Sequence, residues 1–192
     1  DAANNDDKNR LFLLSQASSF IKNSIEEIRT LSKVLHTPLI NELGLIESID
    51  NLADEMMAVN ELDISMLVDN FDEGKFNYNF KLTIYRIVQE QITNILKHAK
   101  ASIVNINITN NETEISVEIK DDGIGFETKR KRTGIGISNI LSRVNMYNGI
   151  LKLESVPEKG SSLCVTFPIN ETQLLESEAA IIINKDLLNV GS

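Results

Sequence analysis

Two neighbouring runs, SIVNINIT at 102–109 and EISVEIKD at 114–121, alternate apolar and polar residues, with Asn110-Asn111-Glu112 at the join. Side chains of a strand point to opposite faces in turn, so each run can bury one face and wet the other. Joined this closely, they pair as an antiparallel hairpin. A second pair, ILKLESV and SLCVTFPI, is joined across Pro157-Glu158-Lys159-Gly160, and ISMLVD is a further strand. A sheet with one apolar face needs a layer to cover it. That layer is available in LIESIDNLADEMMA after Gly44, in Phe80 to Ala99, and in ISNILSRVNMY after a glycine-rich segment running from Gly123 to Gly136. The stretch from Phe71 to Asn79 reads as a turn-rich loop. The expected class is α+β: a two-layer α/β sandwich with helices stacked on one face of a mixed sheet.

Ahead of it, Leu14, Ala17, Ile21, Ser24, Ile28, Leu31 and Leu35 recur at alternating three- and four-residue spacing, which predicts a long helix from about Arg10 to His36 with a bundle seam. Pro38 ends it. The expected organisation is a partial helical region over 1–40, the sandwich over 41–170 and a tail over 171–192. Within the tail, AAIIIN is apolar, and the sequence does not decide whether it docks as an edge strand.

Composition narrows the partners. With 192 residues and 42% hydrophobic content, the chain can build a core. A formal charge of -9 excludes nucleic-acid binding by broad phosphate neutralisation, yet leaves room for a nucleotide held by a few local donors and a metal ion. No apolar run approaches the ~20 residues that cross a bilayer, and the polar DAANNDDKN start has no signal-peptide pattern. The lone Cys164, within LCVTF, reads as a core residue. A cytoplasmic segment without membrane contact is expected, whether or not the parent protein is anchored.

The chemistry gathers on the helix over 80–99. Ile84, Ile87, Val88, Ile92, Ile95 and Ala99 form its apolar stripe, while Glu90, Asn94, Lys97 and His98 lie at i, i+4, i+7 and i+8 on another face. Asn94 offers a hard carbonyl oxygen to Mg²⁺, and Lys97 offers positive charge. His98 offers a ring donor, and Glu90 a group to accept a proton or hold a water on the metal. The plain alternative is a solvated helical face. Next, Asp121-Asp122-Gly123-Ile124-Gly125-Phe126 closes a strand; a carboxylate there can accept from an exocyclic amine, telling adenine from guanine. An ordinary Asp-Gly turn is the alternative. Then Thr133-Gly134-Ile135-Gly136-Ile137-Ser138-Asn139 opens a helix, where free N–H groups and the dipole suit a phosphate. Its spacing is neither a Walker loop nor the dinucleotide fingerprint. The basic run Lys129 to Arg132 suits a lid, or a merely solvated loop, and Gly160-Ser161-Ser162 brings a hairpin close.

Taken in order, Glu-x-x-x-Asn-x-x-Lys-His-Ala, Asp-x-Gly-x-Gly-Phe, Gly-x-Gly-x-x-Asn and a Gly-Ser before the final strand resemble the GHKL ATPase superfamily of gyrase B, Hsp90, MutL and histidine kinases. Lys-His-Ala, with Ile25 to Arg29, Leu35 to Leu39 and Leu43 to Leu45, is similar to histidine kinases of the NarX, DesK and LiaS type, including their second dimerisation helix. The resemblance covers roughly Ser24 to Pro168. It implies the Bergerat fold and ATP with Mg²⁺, with Asn94 as metal ligand, Glu90 as a polar or base residue beside it, and Lys97 and His98 near the phosphates. It further implies Asp121 on the adenine amine, Gly123, Gly125, Gly134 and Gly136 shaping pocket and lid, and Ser161 where threonine is frequent. A homodimer through the N-terminal helix and a NarL/LuxR-type response regulator are the implied partners. One departure matters: neither His36 nor His98 has the acidic neighbour of a phosphorylated histidine. The expectation is therefore the whole catalytic domain with half of the dimerisation hairpin, the phosphoryl-accepting histidine lying on a helix outside this chain. A GHKL ATPase or anti-sigma-type serine kinase, and a nucleotide-binding pseudokinase, are the alternatives.

Overall fold

The computed structural model describes Ile21 and residues 39–127, 135–170 and 172–175. Apart from Ile21, the expected helix over 10–36 lies outside the described residues, as do the basic run from Lys129, Gly134 and the AAIIIN run. The described residues from Leu39 onward form one compact unit.

That unit opens with a single turn, α1 (Ile40–Leu43), and then α2 (Leu45–Met57), whose buried Leu45, Ile49, Leu52, Ala53 and Met56 follow helical spacing. Gly44 has no side chain to cap α2; the Glu73 carboxylate, arriving from far along the chain, accepts the Leu45 N–H instead. Strand β1 (Asp63–Asp69) follows, then a 3₁₀ turn at Glu73–Lys75 inside the expected loop. Helix α3 (Tyr78–His98) starts two residues earlier than the sequence indicates, because the Asn77 side chain caps it by accepting the Phe80 N–H at 3.0 Å.

Strands β2 (Ile103–Asn110) and β3 (Glu114–Asp121) form the expected hairpin. Its turn is fastened by Asn111 Oδ1, which accepts from the N–H groups of Thr113 (2.9 Å) and Glu114 (2.8 Å). Helix α4 (Ile135–Met146) and the hairpin of β4 (Ile150–Ser155) and β5 (Ser161–Pro168) complete the unit. The five strands lie in the order β1-β2-β3-β5-β4. Only β1 and β2 pair in parallel, and α3 makes the crossover between them.

One face of the sheet is a continuous apolar surface: Val104, Ile106 and Ile108 of β2, Ile115, Val117 and Ile119 of β3, and Leu163, Val165 and Phe167 of β5 are all buried. Ile84, Ile87, Val88, Ile92 and Ile95 of α3 belong to the same core, with Ile140 and Val144 of α4. The intervening residues, such as Asn105, Glu118, Lys120 and Thr166, are not buried. The helices therefore cover a single face, as the alternation requires. Ile40 is in the core, and Gln173 and Leu174 dock by an N–H of Asn77 on the Gln173 carbonyl (2.8 Å) and a bridge between Phe76 and Leu174.

Candidate nucleotide site

The last residue of β3 and the first of β5 face each other: Asp121 is paired with Ser161. Asp121 is 8% exposed. Its Oδ1 accepts the Gly123 N–H at 2.9 Å and its Oδ2 accepts the Ser161 hydroxyl at 2.5 Å. A carboxylate has about four acceptor positions, so both oxygens keep capacity for a ligand's donor. Gly160 lets the hairpin come this close. Its φ is +76°, and a Cβ there would fall 1.9 Å from the Asp121 carbonyl oxygen.

The loop leaving Asp121 is fastened on both sides. Ile124 N–H donates to the Ala99 carbonyl at the end of α3 (2.8 Å), and the Glu158 N–H donates to Ile124 (2.7 Å). Ser155 accepts the Phe126 N–H at 2.8 Å and donates to the Gly160 carbonyl at 3.0 Å. Gly123 lies against Ala99, and Gly125 against the Val156 carbonyl. Asp122 points the other way. Its Oδ1 accepts the N–H groups of Ser102 and Ile103, each at 2.8 Å. The Ile103 bond foremost, and the Ser102 bond with it, hold the Asp122 carboxyl below its ordinary value against an opposing desolvation.

The second half of the site is where α4 meets α3. A Cβ on Gly136 would lie 2.5 Å from Glu90 Oε1, 2.7 Å from Asn94 Oδ1 and 3.1 Å from Asn94 Nδ2. A glycine lets the first turn of α4 sit over both side chains without displacing them. The Nδ2 of Asn94 is buried and, among the described residues, has no hydrogen-bond partner. A buried polar atom left unpaired is unfavourable, so this one fits a ligand-bound arrangement. The structure thus brings Glu90, Asn94 and Gly136 together at one place, and Asp121, Gly123, Gly125 and Ser161 at another. Ala99 and its helix link the two. Lys97 and His98 are exposed on the last turn of α3, where their charge suits the helix C-terminus. Sequence reading missed Ser155, for which the pairing with Ser161 in the last hairpin was the available signal.

Residues 80–171 match the family described as histidine kinase-, DNA gyrase B-, and HSP90-like ATPase. The signal transduction histidine-protein kinase/phosphatase DegS of Brevibacillus brevis is 32% identical over 153 residues, covering 78% of this chain and 39% of that protein. The oxygen sensor histidine kinase NreB of Staphylococcus carnosus is 28% identical over 149 residues, covering 77% of this chain and 43% of that protein. The chain thus spans about two fifths of the length of these curated relatives. Among solved structures, the histidine kinase domain of the blue-light activated kinase from Erythrobacter litoralis EL346 superposes with a TM-score of 0.53 at 16% identity. That match covers 72% of this chain and 64% of that one, a likeness of fold. With its mixed sheet, one-sided helical layer and ordered glycine motifs, the chain carries over residues 80–171 a domain of this ATPase family, and the relatives named above are histidine kinases.

Proposed function

We propose that this domain binds Mg²⁺-ATP between α3 and the start of α4 and delivers the γ-phosphoryl group to a histidine on a dimerisation helix. The observation that carries the reading is the meeting of Gly136 with Glu90 and Asn94, one helix away from a buried, strand-end Asp121. Asp121 accepts from the adenine amine, with Gly123, Gly125 and Ser161 shaping the base pocket. The phosphates run along Asn94 towards the segment that includes Gly134 and Gly136, with Lys97 and His98 contributing charge. Glu90 serves as a polar or proton-accepting group beside them.

The Asn94 carbonyl oxygen is the protein's ligand for Mg²⁺, which would neutralise phosphate charge. Among the described residues no group of three His, Cys, Asp or Glu side chains gathers as a metal site. This suits a metal held chiefly by the nucleotide's own oxygens, as Mg²⁺ commonly is. Catalysis then rests on positioning and charge neutralisation. Residues 1–40 are proposed as part of a dimerisation region, with residues 41–170 as the catalytic domain, a homodimer as the working unit and a NarL/LuxR-type regulator downstream. Among the described residues no helix is long and apolar enough to cross a membrane; we place the segment in the cytoplasm.

Calorimetric titration with ATP, ADP and GTP, with and without Mg²⁺, tests the reading. Adenine nucleotides bind selectively, and Mg²⁺ strengthens binding in the wild type but not in Asn94→Ala. Equal Mg²⁺ dependence in that variant would remove Asn94 from the metal. Adding the acceptor helix and detecting acid-labile phosphohistidine then tests transfer.

A further inference from the structure

A glutamine occupies a place where α3 calls for an apolar side chain. Position 91 is seven residues after Ile84, three after Val88 and four before Ile95, in the middle of the buried stripe. Gln91 is only 4% exposed, and its Oε1 is buried with no hydrogen-bond partner among the described residues. Three residues on, the buried Nδ2 of Asn94 is also unpartnered. Residues three apart on a helix are neighbours on its surface. The two orphaned atoms are complementary: one is an acceptor, the other a donor.

An asparagine side chain has nearly the same shape when its amide is rotated by half a turn, so packing does not choose which atom faces which way. Gly136 does not choose either, since a Cβ built there would fall close to both Oδ1 and Nδ2 of Asn94. Only a hydrogen-bond partner selects the rotamer. If the carbonyl oxygen is to face a metal-bound triphosphate, the amino group needs an acceptor on its other side.

We propose that Gln91 is that acceptor: its Oε1 takes the Asn94 Nδ2–H, directly or through one water, and fixes the Asn94 carbonyl towards the metal–phosphate group. Gln91 is a positioning residue, and the inference rests on the metal role proposed for Asn94. It also accounts for a buried amide oxygen that has no hydrogen-bond partner among the described residues. An apolar side chain of the same length would suit the core equally well, because replacing an unpaired buried polar group with an apolar one of similar shape is neutral or stabilising.

The test is Gln91→Met in the full 192-residue chain, with three readouts: affinity for ADP with and without Mg²⁺, thermal stability, and exchange of the Asn94 side-chain amide protons by NMR. Outer partners of metal ligands typically contribute 10- to 100-fold to affinity. Mg²⁺–ADP therefore binds about 10-fold more weakly to the variant. Metal-free ADP affinity and melting temperature do not fall, and the Asn94 amide protons in the Mg²⁺–ADP complex exchange faster than in the wild type. Unchanged Mg²⁺–ADP affinity would overturn the inference, as would an equal loss with and without metal accompanied by a lower melting temperature. If the wild type itself binds ADP no better with Mg²⁺ than without, the metal role of Asn94 is wrong and the inference goes with it. The wild-type titration thus separates the two failures.

Discussion

Replacing Asp121 with asparagine changes one atom in the most constrained part of the site. In the wild type the carboxylate receives the Gly123 N–H and the Ser161 hydroxyl, both charge-assisted. In Asp121→Asn the carbonyl oxygen keeps the Gly123 N–H. The new amino group faces Ser161, whose hydroxyl can rotate from donor to acceptor. Both bonds survive as neutral ones. The difference is about 1 kcal/mol for each, since bonds to charged groups contribute ~1.5–3 and neutral ones ~0.5–1.5 kcal/mol. Relief of burying a charge offsets part of this, leaving a loss of about 1–2 kcal/mol.

For a domain of this size that lowers the melting temperature by about 2–8 °C, and the fold persists. A nucleotide meets a larger change. The amino group of adenine now approaches an amide whose free hydrogens are donors, and the loss of a charged acceptor, ~1.5–3 kcal/mol, weakens binding about 10- to 150-fold. Calorimetry with ATP and GTP, paired with thermal unfolding followed by circular dichroism, reads both quantities on one sample. ATP affinity close to wild type, together with the expected fall in melting temperature, would refute the assignment. Asp121 would then be a fastener for the loop and the hairpin, with no part in base recognition.

At Gly136→Ala, stability and binding move in opposite directions. Alanine favours a helix over glycine by up to ~1 kcal/mol, so unfolding is unaffected or harder, while a Cβ 2.5 Å from Glu90 Oε1 and 2.7 Å from Asn94 Oδ1 displaces both side chains. Mg²⁺-dependent nucleotide binding falls by at least about tenfold; unchanged binding in titration would mean that α4 does not close over the phosphates. Asp122 gives a pH signature. Because its carboxyl is held below its ordinary value by the Ile103 and Ser102 N–H groups, its stabilising contribution is complete above about pH 4–5 and is lost as pH falls through the lower, folded value. In urea titrations Asp122→Ala is less stable than wild type at pH 7, and the gap narrows below about pH 4. A gap independent of pH would locate the defect elsewhere.

How far the sequence alone reaches depends on the range over which each feature is encoded. The β2–β3 hairpin is legible because the alternation of 102–109 and 114–121 and the turn at Asn111 are local. The faces of α3 are legible for the same reason. The parallel pairing of β1 with β2 is not, since the register of Asp63 with Ile103 is set by the sheet as a whole. The cap of α2 likewise comes from Glu73, 28 residues beyond Leu45. The docking of Gln173 and Leu174 follows from a carbonyl that accepts the N–H of Asn77, 96 positions earlier in the chain. In the site, Asp121, Asn94 and Glu90 stand out by residue type and spacing. Ser155 does not, because its contacts are to backbone atoms of Phe126 and Gly160, and nothing in the residue type announces them.

Helix α3 divides packing from chemistry along its length. Near its start, the Phe80 ring is 5.0 Å from that of Tyr147 and 5.2 Å from that of Phe167, an edge-to-face cluster that joins the helix, the turn after α4 and the far end of β5. Fourteen residues and roughly 21 Å further on, at 1.5 Å per residue, Asn94 stands where the apolar stripe has admitted Gln91. Strand β5 runs the opposite way, from Ser161 beside Asp121 to Phe167 in the aromatic cluster. A site built at the ends of such elements inherits its geometry from the core, because the helix axis and strand register are fixed at the other end. The loop fastenings then act locally: Ile124 to Ala99, Glu158 to Ile124 and Ser155 to Phe126 hold the segment that follows Asp121. The unpartnered Gln91 and Asn94 atoms lie at the chemical end of the helix. Among the described residues, Asn110 and Gln173 carry the other such atoms and lie away from it. Polar groups that packing leaves unsatisfied on α3 are therefore concentrated on the one turn that faces Gly136, as expected if that turn is completed by a ligand.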